Sequence, residues 1–264
     1  RLGVGLIIFM GIVFMAAFAD KIAPNSYKEI DVIKALQPPG GKFPFGTDQY
    51  GRCVFSRVVY GSRIALTVGL VVVAVECLIG VTLGLISGYY GGRIEKVILF
   101  ITDLTWSLPP LIMALAIVTM LGAGLMNVVI SIAVVSWAQF TRIVSTKTKA
   151  IKNMPFIEAA RAFGESDFNI IYRYILPNVT SPIIVLASLA LPSAVLSTTS
   201  LGFLGLGAQP PSPDWGKILS EGINYIRVAP WISFCPGITI VLTVLGFNLM
   251  GEGLRDLLDP RLKA

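Results

Sequence analysis

Histidine is absent from these 264 residues, and only 14% of them are charged. Without an imidazole the chain has no Ser-His-Asp triad, no H-E-x-x-H zinc site and no histidine proton relay. So little charge excludes an ordinary soluble domain, which carries about 25%. Cysteine is scarce as well. Cys53, Cys77 and Cys235 are odd in number and show no C-x-x-C spacing, so neither a disulfide framework nor a zinc ribbon is expected. They read as isolated buried thiols. A G-x-x-x-x-G-K-[ST] phosphate loop is also missing, so the chain does not hold ATP by that device.

What the chain has in abundance is apolar residues, 55% of the total. They gather into six blocks: Leu2 to Ala19, Ile64 to Ile86, Val97 to Leu121, Val128 to Val144, Ile183 to Leu206 and Ile232 to Met250. A helix of about 20 such residues crosses a hydrocarbon core. The pattern predicts an all-α membrane protein with six transmembrane helices in a single domain over 1–264. Residues 1–19 form the first span, 20–63 an external segment, 64–252 a five-span core and 253–264 a polar tail. The chain opens at Arg1 rather than Met, which leads us to expect residues before it. The first block reads as a span rather than a signal peptide. The formal charge of +6 calls for no nucleic-acid partner, because Lys and Arg at membrane edges answer to anionic lipid. Lysine and arginine divide twelve against nine between the two sides, a weak bias that by itself leaves the orientation open.

Few ionisable groups lie inside the blocks. Glu76 falls in the second and Asp103 in the third, where a charge faces either a partner or a watery path. Both readings stand: a translocation-path residue, or a hydrogen bond between helices. Neither carboxylate sits in a G-x-G-D pattern, and with no His base an intramembrane protease is set aside. Pro109-Pro110 predicts a kink in the third span, since proline lacks a backbone donor. Gly80, Gly84 and Gly88 repeat every four residues, which predicts close packing of two helices.

The charged stretch 146–178 is too polar to span. Pro155 suits a first helical turn. Phe156, Ala160 and Phe163 share one face of that helix, while Glu158, Arg161 and Glu165 share the other. Gly164 permits a turn, and Ser166-Asp167 caps a second short helix expected to stop before Pro177. By composition the unit is either an interfacial helix lying on lipid or a docking element for a partner.

Glu158-Ala159-Ala160, Gly164 six residues after the Glu, and Leu176-Pro177 resemble the EAA signature of ABC importer permeases. Around them lie Phe45-Gly46-Thr47-Asp48-Gln49-Tyr50-Gly51-Arg52, Gly88-Tyr89-Tyr90-Gly91-Gly92 and Phe203-Leu204-Gly205-Leu206-Gly207-Ala208-Gln209-Pro210-Pro211. Pro213-Asp214-Trp215-Gly216, Phe247-Asn248-Leu249-Met250-Gly251, Gly253-Leu254-Arg255-Asp256 and Asp259-Pro260-Arg261 follow in order. Together these are similar to the C-type subunit of the dipeptide/oligopeptide/nickel permease group, from about residue 43 to the end. The pattern departs at Cys53, where the family usually has Asp, and at Tyr174, where the general signature has Ile.

The resemblance implies a type I ABC importer permease in a bacterial or archaeal plasma membrane, with both termini cytoplasmic. It implies no cofactor in this chain: two separate ATPase subunits bind ATP and Mg. Glu158, Ala159, Ala160, Arg161, Gly164, Leu176 and Pro177 would couple those subunits to the spans. A homologous permease subunit would complete a heterodimer. An extracytoplasmic substrate-binding protein would meet the loops carrying Asp48, Arg52, Gln209 and Trp215, unless the Pro-rich loop is merely a rigid cap. The implied cargo is di- or oligopeptide, with nickel or a metal chelate as the alternative. The absence of histidine tilts the reading to peptide. A passive channel or a scaffold is the reading from other classes.

Overall fold

The computed structural model describes residues 1–258, so the motif Asp259-Pro260-Arg261 and the end of the polar tail lie outside the described residues. Helix follows helix: α1 (Leu2–Ala17), α2 (Ala19–Ile22), α3 (Val54–Tyr90), α4 (Gly92–Trp106), α5 (Pro110–Leu121), α6 (Leu125–Lys152), α7 (Pro155–Ala162), α8 (Asp167–Asn169), α9 (Leu176–Phe203), α10 (Trp215–Ile223) and α11 (Trp231–Leu258). Among the described residues there is no strand, only isolated bridges at Gly40–Phe43 and Thr47–Cys53.

Four helical stretches are individually long and apolar enough to cross a membrane: Val54–Tyr90, Leu125–Lys152, Asp167–Phe203 and Trp231–Leu258. α4 and α5 pass the same test only as a pair, bent by 86° at their break. α1 has 16 residues, about 24 Å of helix. The six expected blocks therefore map onto α1, α3, the α4–α5 pair, α6, α9 and α11.

α3 and α6 run side by side in the same direction, and their approach is set by missing side chains. A Cβ on Gly80 would stand 2.4 Å from Phe140 Cβ, and one on Gly88 2.6 Å from the Ser145 carbonyl. The predicted glycine stripe is therefore the contact line, and only glycine fits it. A second close approach was not read from the sequence. α1 lies antiparallel along α11, where Gly5 meets the Met250 backbone, Gly246 meets Ile8 and Gly253 meets Leu2. The main core runs along α3, α5, α6, α9, α10 and α11, with Phe140, Leu201, Trp215 and Phe247 at its centre.

Several boundaries differ from the sequence expectation. α3 begins at Val54, inside the segment assigned to the external loop, because Cys53 in extended backbone starts the helix well before the apolar block. α6 runs on to Lys152 and takes the first part of the charged stretch into the helix. The second short helix does not stop before Pro177. A π-helical turn at Ile170–Ile175 widens the chain there and leads straight into α9. Pro177 follows directly, and the wider bonding of that turn, in which the Leu176 N–H donates to the Ile171 carbonyl, accommodates the N–H that proline lacks. Pro109-Pro110 gives a break instead of a kink: Pro109 caps and Pro110 opens a new helix. α10 was not foreseen, since its nine residues carry too few apolar positions to stand out from a loop.

Candidate functional site

Two regions collect the residues singled out from the sequence. The first is the end of the bundle carrying α7. Pro155 occupies the first turn of that helix, and Gly164, at φ +81°, makes the turn that ends it. Ser166 caps the next helix by accepting from the Asn169 N–H. Ile157 and Ala160 are buried in a small satellite core with Leu85, Tyr89, Val144, Ile170, Ile175 and Val179. α7 is thus seated on the ends of α3 and α6 and on the start of the fifth span. Glu158, Ala159 and Arg161 face outward. Phe156 and Phe163 do not bury, contrary to the expected apolar face: Phe163 is 89% exposed. The face that seats the helix is Ile157/Ala160, one step around the wheel. Phe168 and Tyr172, stacked on each other, extend the exposed aromatic surface. Leu176 is half-buried and Pro177 exposed at the base of α9.

Tyr89 ties this unit to α3, a role the sequence did not reveal. Its hydroxyl donates to Asp167 Oδ1 at 2.6 Å, and the Arg161 guanidinium lies over its ring. The Lys152 ammonium donates to the Tyr89 carbonyl at 3.0 Å. The motif Gly88-Tyr89-Tyr90-Gly91-Gly92 is therefore the joint between span and α7. Gly91 and Gly92, both at positive φ, turn the chain into α4.

The second region lies at the opposite end of the bundle. Asp48 is fully buried, and its carboxylate accepts from the Tyr50 and Arg52 N–H groups, from Arg52 Nε at 2.7 Å and from an Arg57 terminal nitrogen at 2.6 Å. Glu221 of α10 accepts from both arginines at 3.0 and 3.1 Å. Two acids and two bases thus lock the loop before α3 to α3 and α10. Trp215 is buried too, and its indole N–H donates to the Val58 carbonyl at 2.8 Å across the space Gly61 leaves open. Asp214 caps α10 through the Gly216 and Lys217 N–H groups and also accepts from Ala208. Burial raises its pKa above the ordinary carboxylate value, against those hydrogen bonds. Of the four residues read as candidate external contacts, Asp48, Arg52 and Trp215 are buried in the subunit's own framework. Gln209 alone is exposed, with Pro210, Pro211 and Ser212 beside it. The partners Arg57 and Glu221 were missed because nothing marks a pairing 164 residues apart.

Glu76 is buried between α3 and α6, facing Ser136. Asp103 pairs with Arg142 of α6, and Glu95 with Lys149, so α4 is held to α6 by two ion pairs. Pro109 and Pro110 lie exposed at the break.

A helical membrane subunit with a broken span and a docked helix between its fourth and fifth spans has the architecture of an ABC importer permease. Residues 80–264 match the profile of the binding-protein-dependent transport system inner membrane component, and residues 3–39 match the N-terminal TM domain of oligopeptide transport permease C. The chain is 46% identical over 261 residues to the dipeptide transport system permease protein DppC of Alkalihalophilus pseudofirmus, covering 99% of this chain and 86% of that protein. It is 39% identical over 262 residues to the glutathione transport system permease protein GsiD of Pectobacterium atrosepticum, covering 99% and 86%. Its fold is shared with an inward-facing structure of the MetNI methionine ABC transporter, at TM-score 0.62 and 18% identity over 78% of this chain and 97% of that one. The chain belongs to the binding-protein-dependent transport system inner membrane component family and is a permease subunit of an ABC importer.

Proposed function

We propose that the chain is one of two homologous membrane subunits forming the path of an ATP-driven importer of di- or oligopeptides. α7 and its following turn take up the movement of an ATPase subunit. The end carrying α7 is then cytoplasmic, as are both termini, and the membrane is the plasma membrane of a bacterium or archaeon. The Gln209–Ser212 loop lies outside, where a substrate-binding protein delivers cargo. ATP and Mg belong to two partner ATPase subunits, and this chain hydrolyses no ATP. Peptide cargo follows from the relatives, which are named for dipeptide and glutathione transport.

The observation that carries the coupling role is the seat of α7. The helix presents Glu158, Ala159, Arg161 and Phe163 outward, while Ile157, Ala160 and the Tyr89–Asp167 hydrogen bond hold it to two spans. A push on α7 therefore moves α3 and α6 as one body, which is what rigid-body alternating access requires. A helix merely resting on lipid would turn its exposed face to the bilayer and have no need of that seat.

Gly164→Pro and Glu158→Lys test the reading in the assembled transporter. Gly164 holds positive φ, and its N–H donates to the Arg161 carbonyl, neither of which proline supports. Both variants are expected to assemble yet to lower peptide uptake per ATP hydrolysed. Normal uptake by both at normal expression sinks the coupling assignment.

A further inference from the structure

The two ion pairs between α4 and α6 lie at different depths. α6 continues past its apolar block into the charged stretch, so its Lys152 end lies outside the membrane. The end of the apolar block, not of the helix, marks the boundary: Glu95 and Lys149 lie outside the blocks that begin at Val97 and end at Val144, whereas Asp103 lies about 9 Å and Arg142 about 3 Å inside them. Asp103 and Arg142 nonetheless keep 57% and 49% of their side chains exposed on the subunit surface. Charges at membrane depth face a water-filled cavity or a protein partner, because lipid does not solvate them.

An independent feature marks the same face. Four residues beyond Asp103 the backbone leaves the helix, and Ser107, Leu108 and Pro109 are exposed before α5 begins. Non-helical backbone at this depth is tolerated only inside protein or beside a watery cavity. In a continuing helix the Thr105 and Trp106 carbonyls would receive N–H groups from residues 109 and 110. Both of those are proline, so neither carbonyl gains that donor. The two open carbonyls thus lie within one helical turn of Asp103, whose carboxylate and Arg142 partner are exposed.

We propose that Asp103, Arg142 and the open carbonyls at the α4–α5 break form a binding point in the translocation path for the charged termini of a zwitterionic peptide. Asp103 and the carbonyls receive the α-ammonium, which carries donors only, and the Arg142 fork receives the α-carboxylate. The termini of an extended dipeptide are about 7 Å apart, so the peptide parts the ion pair and each side chain turns to one terminus. The site is neutral with or without such cargo, and no net charge is added to the membrane. This assignment rests on the reading of the chain as a peptide permease.

The test uses the complete transporter with its own partner subunits and binding protein, reconstituted in liposomes. Uptake is measured for dialanine, N-acetyl-dialanine and dialanine amide at saturating concentration, for wild type, Asp103→Asn, Arg142→Gln and the charge exchange Asp103→Arg/Arg142→Asp. The binding protein's own preference cancels when each variant is compared with wild type. Asp103→Asn is expected to lose about tenfold on the two peptides with a free amino group, the cost of one charge-assisted hydrogen bond, and to spare the acetylated one. Arg142→Gln is expected to lose about as much on the two with a free carboxylate and to spare the amide. Equal losses on all three peptides, or a charge exchange that restores wild-type uptake of all three, would show a purely structural pair and overturn the proposal. Absence of peptide uptake by the wild type overturns the peptide reading itself, and this assignment with it.

Discussion

Replacing Gly80 by alanine should weaken the subunit, although alanine is the better helix former. In an unhindered helix the exchange gains about 1 kcal/mol. At Gly80 the new methyl would stand 2.4 Å from Phe140 Cβ and 2.6 Å from the Trp137 carbonyl. Ordinary carbon contacts lie near 3.5–4.0 Å, so α3 and α6 must separate by about 1 Å along their contact. Overpacking of this kind costs about 1–3 kcal/mol, and with backbone as the obstacle the upper half applies. The net expectation is a loss of about 1–2 kcal/mol. Adding Gly84→Ala, whose methyl would meet Val144 Cβ at 2.7 Å, should cost less than a second full increment, because one helix shift relieves both. Gly11→Ala is the control: nothing lies within 4 Å of its Cβ position inside α1, so it should gain up to about 1 kcal/mol. Denaturant titration of the purified subunit in detergent, followed by helical circular dichroism, reads all three. A Gly80→Ala protein as stable as wild type would refute the packing argument.

Three further outcomes follow from the described contacts. Asp214→Asn leaves one acceptor oxygen where two serve three N–H groups, and turns an amide donor on the Ala208 N–H; about 1–3 kcal/mol should be lost in the same titration. Glu221→Gln leaves two buried arginines to one carboxylate, and about 3 kcal/mol should go with it, seen as a lowered midpoint and faster proteolysis of the loop before α3. Tyr89→Phe removes the hydroxyl that holds Asp167. It should lower uptake per ATP hydrolysed while the midpoint falls by about 1 kcal/mol or less, and unchanged coupling would place the joint elsewhere.

The spans were legible because length and apolarity alone decide which segments cross a bilayer, and the glycine stripe because its period is that of a helix face. Pro155, Gly164 and Ser166 were legible because each has one strong local preference that the fold obeys. What escaped were consequences of distant pairing. Arg57 and Glu221 look like ordinary edge charges until α10 is set against α3, and the contact between α1 and α11 joins opposite ends of the chain. The break at Pro109-Pro110 shows a third limit. Proline announces that a helix is disturbed, but whether it bends or ends depends on what the freed carbonyls face. Phe156 and Phe163 make the same point: a wheel finds an apolar face, and packing chooses which part of it is buried.

The central claim is that this subunit passes peptides under the drive of separate ATPases. It is tested most directly by reconstituting the transporter in liposomes, supplying its binding protein with a mixed pool of peptides and nickel chelates, and analysing the lumen by mass spectrometry and metal analysis with and without ATP. ATP-dependent accumulation of short peptides is the predicted result. Accumulation of metal without peptide, or peptide entry at the same rate without ATP, would contradict it.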